Sequence, residues 1–549
     1  MPPRTRHDTH PLPARHAPRL NANDIVSLNR RNVLRTLGAS ALLTAGGGLF
    51  AQHAWGQSTL GGYPFSLGVA SGDPSSDGFV MWTKLAPKPL EPGGGMPGKP
   101  VEVEWRVASD EGMKQVVRKG MVMAHPELGH AVHVEVAGLE PARDYFYRFA
   151  AGGEVSRTGR SRTFPRAGAA PGRVRFAVAG CQRYEAGYFT AFRHIAAERF
   201  DFVFHYGDYI YEYPSLRLGQ KSAWPIIRAM PEESGECFTL DDYRRRYAAY
   251  QLNTELQDAH ASAPFIMSFD DHEVVNDWAG ETTVKQQPRE QFLLRRAAAF
   301  QAWYEHLPLR RAQMPHGTNG ADIQAYRRLA VGDLLTVNVL DTRQYRTGTT
   351  CGARVMAGCA EALEPNRTML GEAQERWLYE SFKQPLRWTL LAQQIPIMRQ
   401  DRNVDPAIFG PSMDKWDGTV AARDRLFAAV EQSKLRNLIS VAGDIHINCA
   451  GELKKNFDDE KSATLGVDFT ATSVTSLGDG FDSNNRFKTL MQQDPHIKFY
   501  NGQRGYVRHV VTLQRWEADY QVLDKVSSPD GTMSTRKSFV VEDGNSRLL

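Results

Sequence analysis

Four short apolar segments, each followed at once by side chains of metal-binding type, constrain the fold of this 549-residue chain most strongly. Each segment has the length and apolar content of a buried β-strand. Open α/β sheets place ligand sites just beyond the carboxyl ends of their strands, so we expect these side chains to meet at one sheet edge. The segments and the residues that follow them are 174–180 with Cys181, 202–207 with Asp208 and Tyr211, 264–269 with Asp271 and His272, and 438–443 with Asp444 and His446.

The ligand types indicate which metals this edge would hold. Carboxylates favour hard cations such as calcium, magnesium or manganese. A thiolate, a phenolate and an imidazole suit a redox-capable transition metal, and a phenolate suits ferric iron in particular. Asp208 and Tyr211 are three residues apart, so in a helical turn both would point the same way. Asp208 would then bridge two metals while Tyr211 binds one.

Each motif alone has an ordinary structural explanation. A Gly-Asp pair is usually a turn, a buried cysteine is usually inert core, and Asp270 with Asp271 could cap a helix. Four such motifs in order, each after an apolar strand, favour a functional site instead.

The strand pattern divides the chain into two folded parts. Residues 58–165 contain short alternating strands with turns between them, at 79–83, 101–107, 131–136 and 145–149, which predicts an immunoglobulin-like or fibronectin-like β-sandwich. A Gly/Ala/Pro-rich linker, 166–172, follows. Residues 172–540 then alternate strands with helices, at 189–199, 289–306 and 372–382, which predicts an α/β domain with further strands at 334–340 and 388–393.

Residues 1–57 read as a removable export signal. Arg30 and Arg31 precede an uncharged run, 36–51, that is too short and too weakly apolar for a good membrane span, and small residues follow it. The paired arginines resemble the twin-arginine type, so we expect the export machinery of that type as a partner and a periplasmic or secreted location. An ordinary Sec signal and a structured helix start are the alternatives. In an oxidising compartment the loop from Cys351 to Cys359 invites a local disulfide.

Composition argues against a nucleic-acid partner. Lys and Arg exceed Asp and Glu by only 4, without the concentrated basic patch that nucleic-acid binders show. We therefore expect no specific nucleic-acid binding and no stable membrane span.

The motifs together resemble the PhoD-type alkaline phosphatase/phosphodiesterase family, which has the metallophosphoesterase fold and is related to purple acid phosphatases. The resemblance rests on Gly-Asp-x-x-Tyr at 207–211, Asp-His-Glu at 271–273 and Gly-Asp-x-His at 443–446, and it runs from about residue 63 to 524. It also includes the segments 68–74, 340–346, 415–418 and 472–476. This implies a catalytic domain of two sheets flanked by helices, with a bimetal centre at the strand ends.

The resemblance also implies the ligand sets. Cys181, Asp208, Tyr211 and His446 would hold ferric iron, and Asp208, Asp271 and Asp444 would hold calcium; zinc or manganese at both sites is the alternative. The implied activity is hydrolysis of a phosphoester substrate, as an alkaline phosphatase or phosphodiesterase. The rival class is a cell-surface binding protein whose metallophosphoesterase domain is inactive.

Four further residues receive roles from their chemistry. Arg183 is a candidate phosphate clamp, because a guanidinium can bind two oxygens at once, and a surface ion pair is its alternative. His272 is a candidate general acid or a residue that orients a ligand. We expect Asp341 and Arg343 to form a structural ion pair.

Overall fold

A computed structural model describes residues 59–222, 224–403 and 410–549. The predicted export signal, residues 1–57, lies outside the described residues. Among the described residues, no helix has both the length and the apolar character that crossing a bilayer requires.

The strands and helices expected from the sequence are present, with bounds shifted by at most two residues, and the fold contains others that were not predicted, including every strand from residue 448 onward. The N-terminal strands are β1 (Val69–Gly72), β2 (Phe79–Lys84), β3 (Val101–Ala108), β4 (Val116–Ala124), β5 (Ala131–Val136), β6 (Asp144–Ala151), β7 (Glu154–Val155) and β8 (Gly159–Arg162). The later strands are β9 (Val174–Ala179), β10 (Phe202–His205), β11 (Pro264–Met267), β12 (Arg327–Val331), β13 (Leu335–Val339), β14 (Trp388–Ala392), β15 (Leu438–Ala442), β16 (Asn448–Lys454), β17 (Thr464–Thr470), β18 (Ile497–Asn501), β19 (Gly505–Val511), β20 (Arg515–Leu523) and β21 (Met533–Glu542). The α-helices are α1 (Thr190–Glu198), α2 (Leu240–Gln251), α3 (Thr254–Ser262), α4 (Arg289–His306), α5 (Gly371–Ser381), α6 (Val420–Gln432) and α7 (Asn485–Gln493).

The strands form three sheets. The first has nine strands in the order β21-β20-β19-β9-β10-β11-β1-β2-β5, and the second has seven in the order β12-β13-β14-β15-β17-β16-β18. The third has the order β4-β3-β6-β7, with β8 paired to β6. Strands β9, β10 and β11 are parallel neighbours, as are β13, β14 and β15, so their carboxyl ends meet at common sheet edges.

Alternating side chains of β9 show how the large sheets are layered. Phe176 and Val178 pack toward the second sheet, in a buried layer with Val337 and Val441. Residues of opposite parity pack in the cluster that holds α1, α2, α3 and α4. A third cluster joins α5 and α6 to the other face of the second sheet. The period of two that defines a strand thus buries both faces of β9.

The N-terminal region is all-β, but its strands do not form a separate pair of sheets. Strand β1 runs parallel to β11, with Ser71 opposite Pro264, so β1, β2 and β5 extend the nine-stranded sheet. The third sheet packs on this extension through residues such as Phe79 and Tyr147. Pairing with β11 covers the β1 edge, which would otherwise expose unpaired backbone groups. The expectation of a self-contained sandwich over 58–165 therefore misses a shared sheet.

The cysteines divide as the sequence predicts. Cys351 and Cys359 form a disulfide, which confirms the predicted local bridge. Cys181, Cys237 and Cys449 are free and buried.

Candidate metal centre

The loops after β9, β10 and β15 turn sharply where the predicted ligands stand. Cys181, Asp208, Asp444 and His446 all have positive φ, between 52° and 65°. Side chains other than glycine adopt this left-handed conformation rarely, and such residues cluster at functional sites. Gly443 allows the β15 loop to approach Tyr206, because a Cβ at Gly443 would lie 2.1 Å from that ring. The backbone thus accepts unfavourable conformations that bring these side chains together.

A first group of donors contains sulfur, oxygen and nitrogen. The Cys181 thiol lies 3.2 Å from Asp208 Oδ2, and the Tyr211 hydroxyl donates to the same oxygen at 3.0 Å. The Tyr211 hydroxyl also lies 3.2 Å from His446 Nε2. One donor atom each from Cys181, Asp208 and His446 falls within a mutual 4.8 Å. We call Cys181, Asp208, Tyr211 and His446 the thiolate group. They are the four residues to which the family resemblance assigns ferric iron.

A second group consists mainly of carboxylates. Donor atoms of Asp270, Asp271 and Asp444 lie within 4.8 Å of one another, and so do those of Asp208, Asp271 and His272. Asp208 therefore belongs both to this carboxylate group and to the thiolate group. Its Oδ1 is buried and has no hydrogen-bond partner among the described residues, as is also true of Asp271 Oδ1.

The electrostatics of the thiolate group suit a cation. Burial raises the pKa of the Cys181 thiol well above its ordinary value, and the carboxylates of Asp208 and Asp444 add to that effect. Burial likewise raises the pKa of Asp208 and of Tyr211. Buried anions need a compensating positive charge, and a bound metal ion would supply it. With the unpartnered carboxylate oxygens, this donor set fits a metal centre.

Basic side chains neutralise the carboxylate group from the other side. The fully buried Arg343 donates from Nε to Asp270 at 2.6 Å and from both terminal nitrogens to Asp414, at 2.8 and 3.1 Å. Lys415 pairs with both Asp414 and Asp444. For Asp271, burial alone would raise the pKa, but Arg343 and His272 outweigh it and lower the pKa to about 2.

The expected ion pair between Asp341 and Arg343 is wrong. Asp341 accepts hydrogen bonds from the backbone amides of Arg343 and Gln344, whereas the Arg343 guanidinium turns to Asp270 and Asp414. Asp341 thus shapes the turn after β13, while Arg343 pairs with the Asp270 and Asp414 carboxylates. The prediction paired Asp341 with Arg343 because they are two positions apart in the sequence. The actual partner Asp414 is 71 positions from Arg343, and no sequence pattern near Arg343 indicates it.

His272 and Arg183 both lie beside Tyr211. His272 Nδ1 is 2.7 Å from the buried Glu212 carboxylate, and its ring centre is 4.2 Å from that of Tyr211. The Arg183 guanidinium lies over the rings of Tyr211, Tyr213 and Trp224, at 5.7, 5.4 and 5.3 Å. Arg183 also forms a long ion pair with Glu185, at 3.9 Å. Both side chains are buried, so this pair is not the surface ion pair that was the alternative for Arg183.

Two supporting residues were not assigned roles from the sequence. The Glu273 carboxylate accepts from the backbone amides of Asp208, Tyr209 and Asp270, which ties the β10 and β11 loops together. The Ser476 hydroxyl bonds the Tyr211 hydroxyl at 2.7 Å and the Cys181 carbonyl at 3.0 Å. Both residues belong to the motifs at 271–273 and 472–476, but their hydrogen-bond partners become evident only in the folded chain.

Comparison with known proteins gives consistent matches across this architecture. The family model described as PhoD-like phosphatase matches residues 176–520, and the model of its N-terminal domain matches residues 51–165. Alkaline phosphatase D of Bacillus subtilis (strain 168) is 44% identical over 487 residues, which cover 88% of this chain and 82% of the relative. The solved structure described as "Structure of PhoD" superimposes with a TM-score of 0.85 at 44% identity, over 89% of this chain and 92% of the other.

Proposed function

Because this chain belongs to the PhoD-like phosphatase family, we propose that it is an exported, metal-dependent phosphoesterase with a ferric and a calcium ion at its centre. Family membership makes it a hydrolase acting on phosphoric ester bonds, since an alkaline phosphatase is 44% identical over most of both chains. Metal dependence, export and the individual ligands are parts of the proposal.

The proposed ligand sets follow donor chemistry. Cys181, Asp208, Tyr211 and His446 would hold ferric iron, because thiolate, phenolate and imidazole donors suit a transition metal. Asp208, Asp271 and Asp444 would hold calcium through carboxylate oxygens, since Asp271 shares one donor cluster with Asp208 and another with Asp444. The alternative metals, zinc or manganese at both sites, remain outcomes of metal analysis. The catalytic domain would have the metallophosphoesterase arrangement, with helices flanking its two sheets.

Bound metals would supply positive charge that neutralises phosphoryl oxygens and lowers the pKa of a water molecule. The protein side chains would hold the metals, carry a proton and bind the substrate. Asp208 would hold the two metals in fixed relation. His272, whose Nδ1 is held by Glu212, would present Nε2 to the substrate and carry a proton there. Arg183 would bind phosphoryl oxygens, since its guanidinium is buried against aromatic rings and its ion pair with Glu185 is long, at 3.9 Å.

Export is supported by the order of features at residues 27–57 and by the disulfide. Paired arginines, an uncharged run and small residues follow one another as in a twin-arginine signal. The Cys351–Cys359 disulfide is typical of proteins in oxidising compartments. The proposed location is therefore the periplasm or the exterior, with the twin-arginine machinery as a transient partner.

The competing function, a binding protein with an inactive catalytic domain, predicts that ligands have been lost. This chain retains all six proposed ligands, and each of them belongs to a donor cluster or contacts a member of one. This observation disfavours the competitor.

The observation that carries the proposal is the position of Asp208, which belongs to both donor groups and keeps a buried oxygen unpartnered. The test is hydrolysis of p-nitrophenyl phosphate and bis-p-nitrophenyl phosphate by protein purified without chelator, before and after chelation and metal return. We expect chelation and Asp208→Asn each to abolish turnover, and the surface change Asp258→Asn to leave it intact. Full turnover by the Asp208→Asn variant would overturn the proposal.

A further inference from the structure

A cavity of about 280 Å³ lies at the seam between the N-terminal strands and the helices α2 and α4. We call it the seam cavity and define it by six of its lining residues: Lys84, Gly94, Asp241, Arg244, Arg245 and His306. None of the proposed metal ligands lines it. Pockets for drug-sized molecules start at roughly 300 Å³, so this cavity suits only a small molecule or ion.

A buried ion cluster forms one wall of the seam cavity. The Glu305 carboxylate accepts from Lys84 at 3.1 Å, from Arg244 at 2.7 and 2.6 Å, and from Gln301 at 2.9 Å. Glu305 is therefore saturated with donors and has nothing left for a ligand. Two cations share this one buried anion. Burial lowers the pKa of Lys84 to about 8, so its amine is protonated at neutral pH and the wall then keeps an excess positive charge.

Lys84 keeps unused donor capacity. An ammonium has three N–H donors. The described residues give Lys84 one hydrogen bond, to Glu305, and its side chain is only 7% exposed. Arg245 Nε is also buried without a partner, although the rest of that guanidinium pairs with Asp242 and Glu232. Unmet buried donors are costly and favour a ligand with acceptor oxygens.

His306 contributes an unpartnered acceptor, in contrast to the unpartnered donors of Lys84 and Arg245. Its Nδ1 lies 2.7 Å from the Ala302 carbonyl, which can only accept, so Nδ1 carries the proton. Burial lowers the pKa of His306 well below its ordinary value, and nearby Lys84 adds to the effect, so the ring is neutral. Its Nε2 is therefore an acceptor, and it is buried without a partner.

The acidic residues at the cavity lie toward solvent. The Asp241 side chain is 63% exposed and stands 3.6 Å from Arg244, and Glu91 is 57% exposed and pairs with Lys88. Screening by water weakens exposed charges of this kind. They leave the excess positive charge of the buried wall in place.

We propose that the seam cavity binds hydrogen phosphate, with its anionic oxygens on Lys84 and Arg245 and its P–OH group donating to His306 Nε2. An anion with a remaining acidic hydrogen satisfies both kinds of unmet group, whereas an anion without one leaves His306 unsatisfied. If the proposed function holds, the ion bound here is also the product of hydrolysis. The cavity itself does not depend on that activity.

The test is calorimetric titration of the full chain with inorganic phosphate and, separately, with sulfate at about pH 7, where Lys84 is protonated and phosphate keeps at least one P–OH while sulfate has none. The catalytic centre is disabled in two ways, by chelation of the wild-type protein and by Asp208→Asn. We expect one phosphate per chain in both preparations, with sulfate at least tenfold weaker. Absence of phosphate binding, or equal binding of the two anions, would overturn the proposal.

Three variants assign the binding to the seam cavity. Lys84→Met should weaken phosphate at least tenfold, and His306→Phe, which can keep the stacking on Tyr247, should reduce the preference for phosphate over sulfate. Arg245→Gln serves if Lys84→Met fails to fold, because Arg245 is one-third exposed, and it too should weaken phosphate. Unchanged phosphate affinity in the folded variants would overturn the assignment. Absence of hydrolysis in the metal-loaded wild-type protein, with phosphate binding intact, would count against the proposed function alone.

Discussion

At the residue scale, the proposed metal centre depends strongly on Glu273, whose carboxylate binds three backbone amides of the loops that carry the ligands. The amides of Asp208, Tyr209 and Asp270 all donate to its two oxygens, at 2.7 to 3.1 Å. Asp208 itself adopts a left-handed backbone conformation at this point, with φ 53°. Residues in such conformations persist only when their surroundings hold them firmly.

We therefore expect Glu273→Gln to lower both the free energy of unfolding and the metal content. The side-chain NH2 group of the glutamine would face backbone N–H groups and could not accept hydrogen bonds from them. An unsatisfied buried donor costs about 1–3 kcal/mol. Partners that orient ligands typically contribute about 10–100-fold to metal affinity. Thermal unfolding and metal titration check this, with the exposed Glu290→Gln as control. Wild-type metal affinity in Glu273→Gln would contradict it.

Arg183 offers a second test at this scale. Its guanidinium lies over three aromatic rings, and its ion pair with Glu185 is long, at 3.9 Å. Arg183→Lys loses the planar fork that binds two oxygens, so we expect KM to rise about tenfold or more while metal content stays the same. Arg228→Lys is the matched control, because the Arg228 guanidinium also lies over rings, at 3.7 Å from the Tyr184 ring centre, and donates to the Tyr184 carbonyl, which is not a proposed ligand. An unchanged KM in Arg183→Lys would remove Arg183 from substrate binding.

At the scale of elements, the disulfide loop braces a segment that reaches the metal centre. Val355 bridges to Ser412, and the amides of Met356 and Met413 bond across the same contact. The braced segment continues directly into Asp414 and Lys415, which pair with Arg343 and Asp444. The link is thus a short chain of hydrogen bonds and ion pairs from the Cys351–Cys359 loop to the carboxylate group.

We expect Cys351→Ser combined with Cys359→Ser to destabilise this segment and weaken calcium binding. Closing a loop of this size stabilises a fold by roughly 2–3 kcal/mol in the chain-entropy description. Proteolysis of residues 351–363 and calcium titration are the measurements. Reducing agent supplies the matched control, since it should reproduce the effect in the wild-type protein and change nothing in the double variant. Equal calcium affinity in all four samples would contradict the link.

Local elements were the predictable part of this fold. The helix over 289–306 and the strands that deliver Cys181, Asp208, Asp271 and Asp444 follow from apolar periodicity alone. The pairing of β1 with β11 does not follow from periodicity. It joins segments some 190 positions apart, and the sequence of neither strand indicates which strand it pairs with. The same reason hid Asp414, whose partner Arg343 is reached only through the tertiary fold.

At the scale of the whole molecule, buried charges hold the N-terminal strands to the catalytic part. Lys84 at the end of β2 pairs with Glu305 of α4, and Arg244 of α2 completes the cluster. Burial alone would raise the pKa of Glu305, but Arg244 and Lys84 outweigh it and lower the pKa well below its ordinary value. The seam is therefore electrostatic as well as apolar.

This depressed pKa predicts how stability changes in acid. A carboxyl whose folded pKa lies below its unfolded value contributes stability above about pH 4.3, and the contribution is lost as the pH falls through the folded pKa. We expect the free energy of unfolding to fall more steeply below about pH 4.3 in the wild-type protein than in Glu305→Gln, although the variant is less stable at neutral pH. Denaturant unfolding across this range is the measurement. Parallel pH profiles would show that Glu305 is not ionised in the folded protein.

The central claim is a mixed metal centre built on Cys181 and Asp208, and metal analysis of protein purified without chelator tests it most directly. We predict iron together with calcium in the wild-type protein, loss of iron with retention of calcium in Cys181→Ser, and loss of both in Asp208→Asn. Calcium should survive the first change because Cys181 contributes no oxygen to the carboxylate group. Unchanged iron in Cys181→Ser, or a wild-type protein that carries neither metal, would contradict the claim.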